Sequence, residues 1–545
     1  MSKRSTPKSK ASPRRGFFLV LVLIVIVVAT LSAYSFTGVM VAYDDAAYLS
    51  ADQVQARVAA DSGAESTRLL LSQPPLDRDT AGGVFNNPNL FQAVAVGIAD
   101  PANPCNYSIV APNINDNGML SGFRFGLQDE SARLNVNTLI PLEENSQGLL
   151  ALVTLAEGEE LASDNLAKLL LLALPNMTEE LADAILDWLD EDDEPREYGA
   201  EVDYYSTLTT PYEPTNGPIL SVEELLRVRG MTPTLLFGAD SNQNGVLDPD
   251  EQQRFNTTID TPGALGLAGY LTIHGMEANK ARDGSFRVNV NSDDLETLYE
   301  DLLDILGNET YASYIVAYRI GGSPSSLAGV VGNADDNQVN APAQGNIVGP
   351  WTPDALEQFD LSGGGGTELT QVLDLIDSTV TVNDRTYQSP FSFLTASEYL
   401  PLIMDLLSTS DNPTMPGRIN LNECPAELLY GIPFLEEDQI LEIIDARSSD
   451  SDDENRLYET WPLVEGIVTL DQMRNILPLL TGGGDVYRAQ IVGYYEATGI
   501  AHRQQVIIDA TTVNPKIVSY RDLSHLGRAF DVAVLGTRAG LTEAE

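Results

Sequence analysis

Between Gly16 and Tyr43 no side chain carries a charge, and residues 19–29 are apolar throughout. As a helix rising about 1.5 Å per residue, this run spans a hydrocarbon core roughly 30 Å thick. Ahead of it lie Lys3, Arg4, Lys8, Lys10, Arg14 and Arg15, with no acidic residue among them. A basic flank before an apolar helix holds the N-terminus in the cytoplasm and sends the remainder of the chain across the membrane. Everything after Tyr43 is therefore read as one extracytoplasmic body on a single span.

Three readings of the span compete. A cleaved secretory signal needs small residues at a site just beyond the apolar run, and Ala33-Tyr34-Ser35 offers one. A plain signal anchor is the second. The third rests on Arg14-Arg15, Gly16 and Phe17, with the apolar run beginning at once; this resembles the type IV prepilin signal, which a prepilin peptidase cuts after the glycine. The sequence beyond the span bears on the choice. Ala47, Ala51, Val54 and Val58 recur at spacings of three and four, while Asp44, Asp45, Asp52, Gln53 and Arg57 fall on other faces. Nothing breaks the pattern before Pro74-Pro75. It predicts one helix over residues 17–73, half in the membrane and half amphipathic, similar to the spine of a pilin or pseudopilin.

The 79 acidic residues against 31 basic ones give a formal charge of −48, carried almost wholly by the body. Such a surface repels nucleic acid and anionic lipid and favours divalent cations. With 545 residues, 43% of them hydrophobic, the chain buries a core and divides into two to four domains. Cys105 and Cys424 suit an oxidising compartment, and both a disulfide and two buried free thiols stay open.

Along the body, residues 107–110 and 122–127 read as strands. A strand followed by Asn-x-Asn then occurs three times, at Asn135 and Asn137, Asn289 and Asn291, and Asn420 and Asn422, each time ahead of helical sequence. Asparagines at such a junction bond neighbouring backbone amides and start the next helix, so these are read as three copies of one structural device. Residues 169–190 form a helix, a turn and a second helix, a helix-hairpin-helix-like unit, and residues 426–447 form another. Such units hold DNA phosphates through basic, glycine-rich turns; these turns are neither, which argues against nucleic acid. Residues 487–495 and 504–512 alternate as two closing strands.

The run Asp187-Trp188-Leu189-Asp190, with Gly199-Ala200-Glu201, Tyr204-Tyr205 and residues 221–232 downstream, resembles the minor pseudopilin K family of type II secretion systems. So does Ile419-Asn420-Leu421-Asn422-Glu423-Cys424-Pro425. The resemblance covers residues 14–73, 120–235 and 417–512. It implies an α+β pseudopilin fold, in which a long N-terminal transmembrane helix packs on a small antiparallel sheet with a large helical domain inserted. The layout expected is a prepilin leader over residues 1–16 and the spine helix over 17–73. The first part of the sheet comes next over 74–140, then an inserted helical domain over 141–256 and an extra insertion with a partial repeat and a flexible linker over 257–416. A helix-hairpin-helix-like unit over 417–485, closing strands over 486–535 and a disordered tail over 536–545 complete it. The resemblance further implies an inner-membrane protein with its body in the periplasm, and processing between Gly16 and Phe17 with methylation. Its implied partners are prepilin peptidase, other minor pseudopilins and the major pseudopilin. Filament pilins carry Glu at the fifth mature position; here that residue is Leu21, which points to the pseudopilus tip. The apolar helix face around Val54 and Val58 is the expected partner-binding surface.

Residues 240–251 fit a twelve-residue EF-hand calcium loop. Asp240, Asn242, Asn244 and Asp248 place oxygen ligands at positions 1, 3, 5 and 9, Gly245 makes the turn, Val246 offers a carbonyl, and Glu251 suits bidentate binding. The acidic run at residues 450–454 lacks this spacing and reads as a solvated loop. None of His274, His502 and His525 sits in a metalloprotease pattern, and no G-x-S-x-G or phosphate-binding loop is present. Asp187 and Asp190, a helical turn apart, are read as structural. The chain is expected to be an assembly subunit and not an enzyme, with a membrane-anchored calcium-binding adhesion or scaffold protein as the alternative and a membrane-anchored hydrolase a distant third. Mass analysis of the mature chain is expected to show Phe17 at the N-terminus, with Gly16→Trp retaining the leader. An N-terminus near Ser35 or Phe36 would contradict the pseudopilin assignment.

Overall fold

The computed structural model describes residues 15–97, 104–145, 165–258, 261, 263–323, 346–383, 385–448 and 453–537. The leader before Arg15, the last eight residues and the core of the acidic run at 450–452 lie outside these. Helix α1 (Arg15–Leu71) is continuous over 57 residues. Its apolar first half is long enough to cross a membrane and has no cover from the other described residues.

The second half is held by its smallest side chains. Ala56, Ala59, Ala60, Ala64, Thr67 and Leu71 recur at spacings of three and four and are all buried. They lie against a sheet whose first strands are β1 (Val94–Ala95), β2 (Cys105–Ile114), β3 (Leu120–Phe125) and β4 (Gln128–Asp129). The chain then leaves the sheet and returns to it only after residue 485.

Three helical modules fill the interval, and each is closed in the same way. The first opens at β5 (Leu134–Asn135) and closes at β6 (Leu271–Thr272). It contains the hairpin of α2 (Leu166–Leu172) and α3 (Glu179–Leu189), and the loop entering α4 (Pro249–Phe255). The second runs from β7 (Val288–Asn289) to β8 (Leu407–Ser408) around α5 (Leu295–Leu306) and α6 (Glu309–Gly321). The third runs from β9 (Ile419–Asn420) to β10 (Leu480–Thr481) around α7 (Ala426–Leu429) and α8 (Glu437–Ser448). Each opening strand pairs in parallel with its closing strand.

The asparagines explain the repetition. Oδ1 of Asn135, Asn289 and Asn420 accepts the N–H two residues on, at 3.1, 2.9 and 2.8 Å. The second asparagine reaches across the module. Asn137 bonds both backbone groups of Ile219, and Asn291 bonds both of Leu369. Asn422 donates to the carbonyls of Arg456 and Gly482 and accepts from Trp461 Nε1. At each closing strand a hydroxyl, on Thr272, Ser408 or Thr481, accepts the N–H two residues later. A carboxamide presents a donor and an acceptor in one plane, so it satisfies a passing backbone segment as a strand would.

The chain then re-enters the sheet as β11 (Val486–Tyr495), β12 (Ala501–Asp509) and β13 (Lys516–Asp522). The spatial order is β1-β2-β11-β12-β13, with β3 added on β2 and β4 on β11, and every pairing is antiparallel. Tyr107, Ile109, Ala489, Ile491, Val506 and Ile508 form the core under α1.

Two expectations change. Strand β13 was not foreseen because it is an exposed edge, without the inside–outside alternation that marks a half-buried strand. The end of residues 363–366, expected to lie in a flexible linker, is tied to α6: the N–H groups of Gly366 and Thr367 donate to the Arg319 carbonyl at 2.7 and 2.8 Å. Beside them, Gly322–Ser323, Asn346–Pro350, Thr379–Val382 and Arg385–Gln388 form a four-stranded sheet. The stretch 324–345 of the expected linker lies outside the described residues.

Removing Asn422 strands three part-buried polar groups at once. Asn422→Ala is expected to lower unfolding stability by about 3 kcal/mol, read by denaturant titration in detergent. The exposed Asn117→Ala is expected to stay within about 0.5 kcal/mol of the parent.

Candidate functional site

The loop at residues 240–251 closes as an EF-hand loop does. Asp240 accepts the N–H groups of Asn244 and Gly245 at 3.0 and 2.8 Å, and Gly245 takes φ +78° at the sharp turn. Asp248 starts α4 in a capping box with Glu251, whose Oε2 accepts the Asp248 N–H at 3.2 Å. Oε1 of Glu251 folds back onto the N–H groups of Ser241 and Asn242, at 2.8 and 3.2 Å. The side chains of Asn242 and Asn244 meet at Asp248 Oδ2, at 2.6 and 3.1 Å. Turning either amide over would put oxygen at that shared point, and Asn242 Oδ1 has no partner of its own. The donor set suits a hard divalent cation. Val246 donates its N–H to Asn244 Oδ1 at 2.8 Å. Burial raises the Asp240 carboxyl to about 6, against the pull of the Gly245 and Asn244 amides. Asp248 is raised as well, again by burial.

The loop faces the sheet. Gln243 takes hydrogen bonds from Gln490 on β11 and Arg521 on β13, both at 3.2 Å. Asn244 donates to the Ala529 carbonyl at 3.4 Å, and a Cβ on Gly245 would lie 2.5 Å from Pro112 of β2. Arg503 of β12 donates to the Asn242 carbonyl. A cavity of about 160 Å³ opens beside the loop, with Asp240, Gln243 and Gly245 in one wall and Arg488, Gln490 and Arg521 in the other.

A second acidic group lies at the end of α3. Ligand oxygens of Asp187, Asp190 and Glu201 come within 4.8 Å of one another, a closeness the loop's own carboxylates do not reach. The segment with Gly199 and Glu201 folds over Asp187 so closely that a Cβ on Gly199 would overlap its carboxylate. Arg196 pairs with Asp187 at 2.8 Å, with Asp190, and with Glu143 at 3.0 Å. Glu201 is buried, with neither oxygen partnered among the described residues. Burial, then the charges of Asp187 and Asp190, raises its carboxyl to about 8. The Gly199-Ala200-Glu201 motif is in plain view in the sequence, yet its third carboxylate was missed as a site residue, because only the fold brings it to the two aspartates.

The third candidate is a surface. Val54 and Val58 are 61% and 51% exposed, on the side of α1 turned away from the sheet. With Ala47, Ser50, Ala51 and Gln55 they line a shallow open groove. Of the processing pair, Phe17 lies within the exposed start of α1.

Residues 132–237 match the family model for type II secretion system protein K. That segment is similar to protein K of type II secretion systems. The matched region holds the first asparagine device, the α2–α3 hairpin and the Asp187 group, and it stops just before the calcium-type loop. Among solved structures, the GspK-GspI-GspJ complex of the enterotoxigenic Escherichia coli type 2 secretion system aligns over 87% of this chain and 98% of that one. The identity is 10% and the TM-score 0.28. No curated protein matches.

Trp188 lies within the matched segment. Its ring is fully buried and meets Tyr205 edge-on, with centroids 5.1 Å apart, so the Asp187-Trp188-Leu189-Asp190 run fixes aromatic core and acidic group in one helical turn. Both cysteines are buried free thiols: Cys105 packs beside Ala59 of α1 and Cys424 in the core of the modules.

Proposed function

We propose that this chain is a minor pseudopilin at the tip of a type II secretion pseudopilus, nucleating its assembly and supporting protein export across the outer membrane. The observation that carries the reading is α1, one helix with an uncovered apolar half and a second half docked on an antiparallel sheet. The protein K segment supports it. Prepilin peptidase would release Phe17 as the first residue, leaving the chain in the inner membrane with its body in the periplasm. The uncovered face around Val54 and Val58 would receive the helices of other minor pseudopilins, and below them the major pseudopilin.

The tip position rests on charge and bulk. In hydrocarbon an unpaired amine is costly, so a subunit within the shaft must offer its neighbour's N-terminus a carboxylate. Leu21 cannot. Three modules inserted between β4 and β11 would also obstruct close packing along a thin filament. Gold label on the body is expected at one end of each pseudopilus; label spread along the shaft would exclude the tip role.

Calcium is proposed at residues 240–251, with Asp240, Asn242, Asn244, Asp248, Glu251 and the Val246 carbonyl as ligands and water completing the shell. Binding would draw Glu251 off its backbone partners and tie α4 to the loop's start. At a calcium concentration a hundredfold above Kd, the folded chain is expected to gain roughly 2.7 kcal/mol, seen as a higher Tm than in chelator. Glu251→Ala should abolish that gain. A gain that survives Glu251→Ala and falls with Glu201→Gln would place the ion at the Asp187 group instead.

A further inference from the structure

Arg503 is out of place for an ordinary strand residue. It lies near the start of β12, is 1% exposed, and points its guanidinium at the calcium-type loop of a different domain. Its backbone is pinned on both sides, the N–H donating to Ser524 Oγ at 3.1 Å and the carbonyl accepting from Leu523 at 2.9 Å. The side chain is therefore delivered from a fixed base.

Its bonding is incomplete. Nη2 donates to the Asn242 carbonyl, while Nε and Nη1 have no partner among the described residues. Among the described residues no carboxylate forms an ion pair with it within 4 Å, although Asp240, Asp248 and Glu251 are close enough to act on its charge. Two of those carboxylates are already engaged by backbone N–H groups of the loop. The Asn242 carbonyl is also not one of the EF-hand ligand atoms, so this hydrogen bond takes no ligand from the ion.

We infer that Arg503 is the affinity-setting residue of the calcium loop, a resident cation from the pseudopilin sheet that holds the acidic loop folded without calcium and weakens calcium binding by repulsion. This rests on the calcium reading above. Burial keeps the charge from being screened by salt, so it acts on the ion at any ionic strength. The same contact makes the loop a calcium-sensitive joint between the helical modules and the sheet. Bound calcium satisfies the carboxylates without help from β12, whereas the calcium-free loop depends on it.

The test uses the full chain in detergent, with calcium affinity by titration calorimetry and Tm in calcium and in chelator. Arg503→Met is expected to bind calcium about fivefold tighter or more and to lose Tm chiefly in chelator, so the gap between the two media widens. Arg503→Lys, which keeps the charge, should stay near the parent affinity. A parent chain that binds no calcium ends the calcium reading itself. A parent that binds, with Arg503→Met equal or weaker, overturns the role of Arg503 alone. If Arg503→Met folds only in calcium, the proposal stands; if it and Arg503→Gln fold in neither medium, Arg503 is merely structural and the proposal fails.

Discussion

The whole molecule depends on how closely α1 approaches the sheet. Gly493 on β11 lies directly under Ala56 and Ala60, and a Cβ there would collide with the Ala56 carbonyl. On the helix, a Cβ at Gly63 would come within 2.8 Å of Tyr107 and 2.9 Å of Ile491. Small residues on both partners let backbone pack on backbone, where dispersion contacts are dense. Because β2 and β11 meet under the same stretch of helix, this contact joins the two ends of the body's sequence. The helical modules then hang from one closed unit, not between two loose strands.

An insertion of that size needs its own closure. The asparagine device supplies it three times, with a parallel strand pair two residues long that would be too short to hold alone. Carboxamides and hydroxyls make up the missing ladder, so each module is sealed where it begins. The modules are also linked to one another: Glu277 receives Arg287 from the second and Arg418 from the third, at 3.4 and 3.3 Å. At the sheet, Glu130 receives Arg488 at 2.5 Å. In a body so acidic, the few arginines are spent at junctions.

Much of this was legible in the residues. The uncharged run, the absence of proline between Gly16 and Pro74 and the three-and-four spacing specified the long helix, and the Asn-x-Asn spacing specified a repeated device. The face was less legible. Val54 and Val58 form the more apolar stripe, yet the sheet takes Ala56, Ala60 and Gly63, because close approach selects for size over hydrophobicity. Long-range closure was not legible at all: nothing local pairs Asn291 with Leu369, or places Arg503 against residue 242. Glu201 falls in the same class, since its two carboxylate neighbours lie on a helix and it lies on the loop folded over them.

That mismatch between the apolar stripe and the buried stripe leaves a helix face with no partner among the described residues, and that face is proposed to receive other subunits. The most direct test is a cysteine placed at Val54 or at Val58, labelled with a maleimide-linked benzophenone and photocrosslinked in membranes that contain the full set of pseudopilins. The native thiols, Cys105 and Cys424, are buried and free, so the introduced thiol supplies the reaction. The account predicts one dominant crosslinked species joining this chain to a single smaller minor pseudopilin. A ladder of self-crosslinked chains, or no crosslink at either position, would contradict it.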